Sequence, residues 1–275
     1  MKPRDSETAL RANVAAYNSL DERAYINGAP HLKHDSVGRI YRSMVDRAMA
    51  SLGPGASQAT VLELGAGSGL SSTPWFEHRA ALTAVDSSEQ MLRLLRARGE
   101  AFGVKPVTIE ADVLAFLADS RQQFDIVTHV SMLHHIPDYL DMLERSAAHV
   151  RTGGCLLTFQ DPLRYDRMPR LDHAGDRGSY FAWRIFQGNV RRGLKTRWRR
   201  LRGVYSPTEV VDFDEYHVVR NGVDSAAIVD LLRPLFTQVE CYEYWSTYSS
   251  PLQWLGQLLR LKCSFGILAL GRQPR

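Results

Sequence analysis

Three glycines at alternate positions follow an apolar run and an acidic residue in the segment 61–70, VLELGAGSGL. Gly65, Gly67 and Gly69 remove every second side chain, so the backbone N–H groups of this turn can come close to a ligand. Leu70 stands where a dinucleotide fingerprint has its third glycine, and no Gly-Lys-Ser/Thr sequence follows to hold a triphosphate. The pattern therefore predicts a nucleotide-like ligand and disfavours nicotinamide dinucleotides and ATP.

Histidines later in the chain are candidate bases. His134 and His135 directly follow an apolar run, FDIVTHV, and histidine is matched to taking a proton near neutral pH. We prefer His135 as the residue that faces the bound ligands, while a structural role for both histidines remains open. Asp161 ends the next apolar run beside Pro162, where it would contact a substrate or cap the following turn.

A second histidine pair precedes the glycine turn. His31 and His34 are three positions apart and could share a helix face. A base, a metal site and a partly exposed pair without function all remain open. We retain His31 as a candidate substrate contact, and we name no metal ligand because the sequence has no recognisable metal-binding spacing.

Short apolar runs alternate with helical stretches between residues 60 and 160. The runs are TVLEL, ALTAVD, PVTIEAD, FDIVTHV and CLLTFQD. Such alternation is typical of a parallel sheet covered by helices on both faces. It predicts an open α/β fold whose strand ends would bring the glycine turn and the candidate bases to one edge.

Composition shifts divide the chain into four segments. We expect a helical cover in residues 1–59, a ligand-binding α/β core in 60–161, a basic insertion or lid in 162–217 and the rest of the core in 218–275. The insertion is too long for an ordinary connection between a strand and a helix.

Length and composition favour a globular protein with a sizeable core. The chain has 275 residues, 44% of them hydrophobic, and a formal net charge of +4. It shows neither a secretion signal nor about twenty consecutive apolar residues, and its three cysteines have no paired spacing. We therefore expect a cytoplasmic protein, with peripheral attachment to a membrane left open.

The ordered motifs resemble those of small-molecule class I S-adenosylmethionine-dependent methyltransferases. The first motif is Glu63 with the three glycines, and LTAVDSSEQML, IEADVLAF and FDIVTHVSMLHHIPD are similar to the next three. The resemblance covers 60–161 closely and 222–272 loosely. It implies a Rossmann-like open sheet of about seven mostly parallel strands, with helices on both faces and an antiparallel last strand, FGILALGR.

The resemblance also implies S-adenosylmethionine as the cofactor. Asp86 would accept both ribose hydroxyls and Asp112 the adenine amino group, although either could instead cap a turn or helix. Tyr17 and Tyr25 resemble the aromatic segment that closes over the ligands, or they pack the cover on the core. The candidate cofactor contacts are Glu63, Gly65, Ala66, Gly67, Gly69, Asp86, Ser87, Met91, Asp112, Val113, Val130, Tyr17 and Tyr25.

The family reading predicts in-line methyl transfer to a small-molecule or lipid-like acceptor. The chain lacks the Asn/Asp-Pro-Pro-aromatic run of amino-nitrogen methylation after the fourth strand, and it has no Pro-Cys pair for attack on a pyrimidine. An RNA methyltransferase and a noncatalytic binding protein with this fold are the alternatives.

The segment 191–203, RRGLKTRWRRLRG, is basic and carries Leu194, Trp198 and Leu201 at helical spacing. It suits an anionic membrane surface, an anionic small acceptor or carrier protein, RNA, or a solvated face. The lid-like segments disfavour a broad nucleic-acid groove, so a small or lipid-like acceptor leads. Oligomeric state is not predicted, because the apolar stretch 251–261 suits a partner subunit, a membrane or the chain's own core.

Overall fold

The computed structural model describes residues 29–53, 58–186 and 221–274, which build a seven-stranded sheet with the order β3-β2-β1-β4-β5-β7-β6. The strands are β1 (Thr60–Leu64), β2 (Ala81–Asp86), β3 (Val107–Glu110), β4 (Phe124–Val130), β5 (Val150–Pro162), β6 (Phe236–Tyr244) and β7 (Ser264–Arg272). Strands β1 to β5 are parallel, and β7 pairs antiparallel with both β5 and β6. The predicted sheet, including its antiparallel last strand, is confirmed.

Helices cover both faces of this sheet. They are α1 (Pro30–Lys33), α2 (Asp35–Ser51), α3 (Thr73–Glu77), α4 (Glu89–Ala101), α5 (Val113–Asp119), α6 (Tyr139–Ala148), α7 (Arg170–Phe186), α8 (Ser225–Leu232) and α9 (Ser250–Leu258). Apolar residues of α2, α3 and α4 form one buried cluster, and those of α5, α6 and α8 form another. Burial of the two clusters on opposite faces fixes the sheet as the middle layer.

The strand order places a ligand crevice beside β1. This strand lies between β2 and β4, so the connections that leave β1 and β4 turn in opposite directions along the sheet. In open α/β sheets, ligands bind at the carboxyl ends of the strands at such a reversal. The glycine turn follows β1 at this position, and the ends of β4 and β5 adjoin it.

Several predicted features lie at the margins of the described chain. Helices α1 and α2 fall in the predicted cover and α7 in the predicted insertion, and the four segment boundaries stay a prediction. Tyr17, Tyr25 and the basic segment 191–203 lie outside the described residues. Among the helices that the structure describes, none has the length and apolar character needed to cross a bilayer.

Gly69 is required where the glycine turn packs on α4. Its φ is +77°, and a Cβ there would lie 2.8 Å from the Leu95 Cγ and 3.1 Å from its Cα. Gly69→Ala combines an unfavourable left-handed backbone with a clash, so we expect it to lower the free energy of unfolding by about 2–4 kcal/mol. Gly103→Ala is the matched control, because its φ is +70° with nothing within 4 Å of the added Cβ. Equal losses in urea denaturation of the two variants would contradict the packing role of Gly69.

Candidate active site

The glycine turn is held against the end of β2 by a carboxylate. The backbone N–H of Gly67 donates to the Asp86 Oδ2 at 2.8 Å, and that of Ser88 donates to the Oδ1 at 2.9 Å. Gly65 and Gly67 have φ values of +69° and +53°, and a Cβ on Gly65 would lie 2.9 Å from the Met132 Sδ. The turn therefore needs glycine, and Asp86 sets its position. Burial raises the pKa of Asp86, while the N–H bonds from Gly67 and Ser88 oppose that rise.

Buried apolar residues lie in the turn and at the neighbouring strand and helix ends. Ala66 is in the turn, Val130 ends β4, and Met91 and Val113 lie in the first turns of α4 and α5. The combination of a turn without side chains, a carboxylate that can accept from hydroxyls and an apolar wall fits the phosphate-free adenosyl group of S-adenosylmethionine. Asp112 accepts from the backbone N–H of Ala115 at 3.0 Å and so caps α5. The helix-capping alternative for Asp112 is realised, and its contact with adenine stays a prediction.

Glu63 lies beneath the turn. Its side chain is buried, and its Oε2 accepts a hydrogen bond from the Ser72 hydroxyl. Burial and the nearby Asp86 raise the pKa of Glu63 to about 7, although the Ser72 hydrogen bond acts in the opposite direction. Since Ser72 directly precedes α3, this bond ties the strand before the turn to the helix after it. A direct contact between Glu63 and the cofactor stays a prediction.

Protonation of Glu63 makes the stability of the fold depend on pH. A carboxyl whose pKa is raised by folding from 4.5 to about 7 contributes stability below the lower value and loses it as pH rises through the higher one. Glu63→Gln cannot titrate, so its free energy of unfolding relative to the native chain should increase by roughly 3 kcal/mol from near pH 4 to near pH 8. Denaturant titrations of both proteins at the two pH values measure this difference. A pH-independent difference would show that folding does not raise the pKa of Glu63.

A histidine–carboxylate pair lies at the ends of β4 and β5. The backbone N–H of His134 donates to the Asp161 Oδ1 at 3.2 Å, and the His134 Nδ1 is 2.8 Å from the same oxygen. Asp161 is fully buried and His134 nearly so. Because an ionised carboxylate only accepts, we assign the proton to Nδ1, which leaves Nε2 as the basic nitrogen of the imidazole. A histidine that a carboxylate orients in this way has the arrangement needed for general-base catalysis.

Irregular backbone aims these two side chains at each other. Ser131 directly follows β4 with a φ of +55°, and Gln160 lies inside β5 with a φ of +65°. Such values are unusual for residues other than glycine. The β5–β7 register shifts between Phe159 and Asp161, so the bulge at Gln160 changes the direction of the Asp161 side chain. The Gln160 N–H donates to the Tyr244 hydroxyl at 2.9 Å, which fixes the bulge. Strain of this kind costs about 1–3 kcal/mol per residue and is concentrated at functional sites.

His31 belongs to the same cluster. Its side chain is buried, its ring meets that of Phe159 edge-on at a centroid distance of 6.4 Å, and its pKa is lowered to about 3 by burial and by the nearby His134. His34, in contrast, ends α1 in an extended conformation, and its Nε2 lies 2.7 Å from the carbonyl oxygen of Thr247. The expectation of a partly exposed pair on one helix face is wrong, because tertiary contacts bury both rings and the helix ends between them.

The structure thus brings together four predicted site residues, His31, His134, His135 and Asp161. Asp86 and Ser87 lie at the carboxyl end of β2, on the other side of β1. The His134 ring contacts Asp161, whereas the preferred candidate was His135, and which of the two histidines faces the ligands stays a prediction. Phe159 was not predicted from the sequence as a residue of the site. Its ring lies between those of Tyr41 and Tyr244 at centroid distances of 4.9 and 5.0 Å. The one sequence signal for its role is its position two residues before Asp161 in β5, because alternate residues of a strand point to the same face.

Comparisons with known proteins agree with this geometry. Residues 61–154 match the family model described as a methyltransferase domain. Over 94 residues, the chain is 31% identical to the ubiquinone biosynthesis O-methyltransferase of Vibrio vulnificus strain YJ016, covering 34% of this chain and 40% of the relative. The enzyme of that name from Coxiella burnetii strain Dugway 5J108-111 is 32% identical over 96 residues, with 35% and 41% covered. The chain thus spans about two fifths of the length of these curated relatives.

Solved structures share the fold at low sequence identity. The N-methyltransferase NodS of Bradyrhizobium japonicum WM9, in complex with S-adenosyl-L-homocysteine, is 13% identical with a TM-score of 0.55, covering 98% of this chain and all of that one. An O-methyltransferase family protein of Burkholderia thailandensis is 15% identical with a TM-score of 0.54, covering 94% and 62%. The chain therefore contains a class I S-adenosylmethionine-dependent methyltransferase domain. The conclusion rests on the matched family model, on the sheet order and on the glycine turn that is hydrogen-bonded to Asp86.

Proposed function

We propose that this chain transfers the methyl group of S-adenosylmethionine to a hydroxyl oxygen of a small organic acceptor. The observation that carries the proposal is the 2.8 Å contact between the His134 Nδ1 and the Asp161 Oδ1. A hydroxyl is a weak nucleophile until it loses its proton, whereas a neutral amine needs no base before attack. A buried, oriented imidazole therefore favours oxygen as the acceptor atom. The names of the curated relatives, ubiquinone biosynthesis O-methyltransferases, support the same chemistry.

The cofactor supplies an electrophilic methyl group bonded to a positively charged sulfur. We propose that His134 removes the acceptor's hydroxyl proton at Nε2 as the oxygen attacks the methyl carbon in line with the sulfur. In that same step the carbon–sulfur bond would break as the carbon–oxygen bond forms, with its electron pair left on sulfur, to give S-adenosylhomocysteine and a methyl ether. Asp161 stabilises the resulting imidazolium and keeps the ring in the required tautomer.

The groups around His134 suit the formation of that single positive charge. His31 stays neutral at physiological pH because burial lowers its pKa to about 3, so it adds no repulsion when His134 is protonated. Phe159, Tyr41 and Tyr244 form an aromatic stack, and the Phe159 ring also meets that of His31, so we propose that this stack limits the access of water to the reacting end. A desolvated site of this kind strengthens the Asp161–imidazolium attraction.

The cofactor is proposed to lie over the glycine turn. Asp86 would accept the ribose hydroxyls while it holds the Gly67 N–H, and Met91 and Val113 would pack on the adenosine. Val130 ends β4 between the turn and His134, which is the position expected next to the transferred methyl group. These assignments rest on the arrangement of the crevice and on the family motifs.

Acceptors that differ only in the nucleophilic atom test the choice of oxygen. Purified protein is incubated with S-adenosylmethionine and either a catechol or the matching aminophenol, and the methylated atom is read by mass spectrometry. We expect both compounds to be methylated on oxygen, and we expect no product in which the nitrogen of the aminophenol is methylated. Methylation of nitrogen in preference to oxygen would contradict the proposal.

A further inference from the structure

Helix α9 is amphipathic with its apolar side turned to solvent. Trp254, Leu255, Leu258 and Leu259 are 66%, 42%, 64% and 55% exposed, whereas Gln253 is only 3% exposed. A surface helix of a globular protein normally buries its apolar stripe and exposes its amides. Single exposed leucines need no explanation, but a contiguous stripe of this kind marks a surface that meets an apolar partner.

The inverted orientation of α9 is fixed by specific contacts. The Gln253 Oε1 accepts from the Thr247 N–H at 2.9 Å, and the Gln253 Nε2 donates to the Trp245 carbonyl at 2.8 Å. Gly256 lies so close to the Trp245 indole that a Cβ would be 2.1 Å from its Nε1, and that Nε1 donates to the Leu252 carbonyl at 2.9 Å. Rotation of the helix would break all of these contacts, so the apolar stripe is a built feature of the fold.

The segment that carries the stripe is basic. Residues 250–262 contain Arg260 and Lys262 and no acidic residue. Lys262 pairs with Glu243 at 2.9 Å and also interacts with Asp172, so the cation that we consider beside the stripe is Arg260, which is exposed directly after the helix. Tryptophan and leucine beside an exposed arginine are a combination that binds at the boundary between anionic headgroups and acyl chains. We propose that α9 docks this protein onto the surface of an anionic lipid bilayer, with Trp254 and Leu258 inserted and Arg260 at the headgroups.

A bilayer fits this stripe better than a second copy of the chain. Stable protein interfaces bury roughly 800 Å² per partner, which four side chains on a nine-residue helix do not supply. Membrane binding has no such minimum, because each inserted apolar group and each nearby cation contributes separately. The inference does not depend on the proposed function.

The position of α9 gives the docking a consequence for the active site. The loop before α9 contacts α1, since the Lys33 Nζ donates to the Tyr248 carbonyl at 2.7 Å and His34 contacts Thr247. Helix α1 carries His31, which belongs to the His134 cluster. A bilayer bound at α9 would therefore lie beside the reacting end of the sheet, where an apolar acceptor dissolved in the membrane could enter.

Vesicle binding of the purified full chain tests the proposal. We measure co-sedimentation and tryptophan emission with vesicles of phosphatidylcholine alone and with vesicles that also contain phosphatidylglycerol. We expect binding with a blue shift on the anionic vesicles, and at least about tenfold weaker partitioning for Trp254→Ser/Leu258→Ser, which loses two inserted side chains. Arg260→Gln should weaken binding less, and only at low salt.

The control is Leu114→Ser, which removes another exposed leucine, on the helix α5 that packs against β2 and α6, and this variant should bind as the native chain does. All replaced side chains are exposed, so thermal unfolding should be unchanged in each variant. Undiminished partitioning of the double variant would overturn the proposal. So would a lipid-free dimer in analytical ultracentrifugation that the double variant abolishes, because α9 would then bind a second copy.

Discussion

His134→Ala is expected to lower kcat by about 10²- to 10⁴-fold, the usual contribution of a positioned general base. Without the imidazole, the acceptor has no positioned base to take its proton, and water is a much weaker base than imidazole. Because His134 is hydrogen-bonded to Asp161 whereas Asp86 holds the glycine turn, affinity for S-adenosylhomocysteine should stay within a few-fold of the native value. Single-turnover rates and calorimetric titration, made on the same preparation, separate the two effects.

Asp161→Asn distinguishes a base from a structural histidine. An amide can donate to the His134 Nδ1, which would move the ring proton to Nε2 and remove the base without removing the ring. We expect a large loss of kcat together with the loss of the histidine limb in the pH–rate profile. His78→Ala is a matched control, since His78 forms a similar 2.7 Å pair with Asp46 on the surface. Equal activities of the native protein and Asp161→Asn would contradict the assigned base.

Asp86→Ala is expected to weaken the binding of S-adenosylhomocysteine by about 10- to 150-fold. The substitution removes the charged acceptor proposed for the ribose hydroxyls, and such hydrogen bonds contribute about 1.5–3 kcal/mol. It also releases the N–H groups of Gly67 and Ser88, so the turn loses the contacts that set its position. Isothermal titration calorimetry measures the affinity.

Two variants calibrate that loss. Asp119→Ala removes an exposed carboxylate near the end of α5 and should leave affinity unchanged. Asp112→Ala removes the cap of α5 as well as the proposed adenine contact, so an intermediate effect is expected. An affinity of Asp86→Ala within twofold of the native value would show that the cofactor does not lie over the glycine turn.

The cofactor end of the site follows closely from the sequence. The three glycines and Asp86 occur in motifs at fixed places on consecutive strands, and parallel pairing brings the ends of β1 and β2 together whatever the surrounding residues are. Local sequence rules are therefore enough to predict how the glycine turn and Asp86 are placed. They do not decide the role of Asp112, because an aspartate after a strand can both cap a helix and bind a ligand.

The acceptor end depends on features that have no local signature. The pairing of Asp161 with His134 requires the bulge at Gln160, which the Tyr244 hydroxyl stabilises from a strand 84 residues away in sequence. We base the proposal of His134 over His135 on that pairing, which the spacing of the two histidines does not reveal. Likewise, the sequence shows that 251–261 is apolar, but only the tertiary contacts of Gln253 and Gly256 show that the apolar side of α9 faces outward.

The most direct test of the central claim follows the methyl group itself. The purified protein is given S-adenosylmethionine with an isotopically labelled methyl group and an extract of its host, which is then separated into organic, aqueous small-molecule, RNA and protein fractions. We predict label in a small molecule, as a methyl ether whose formation is lost in His134→Ala. Label confined to RNA or protein, or no transfer to any fraction by a protein that binds the cofactor, would contradict the proposal that this chain methylates an oxygen of a small molecule.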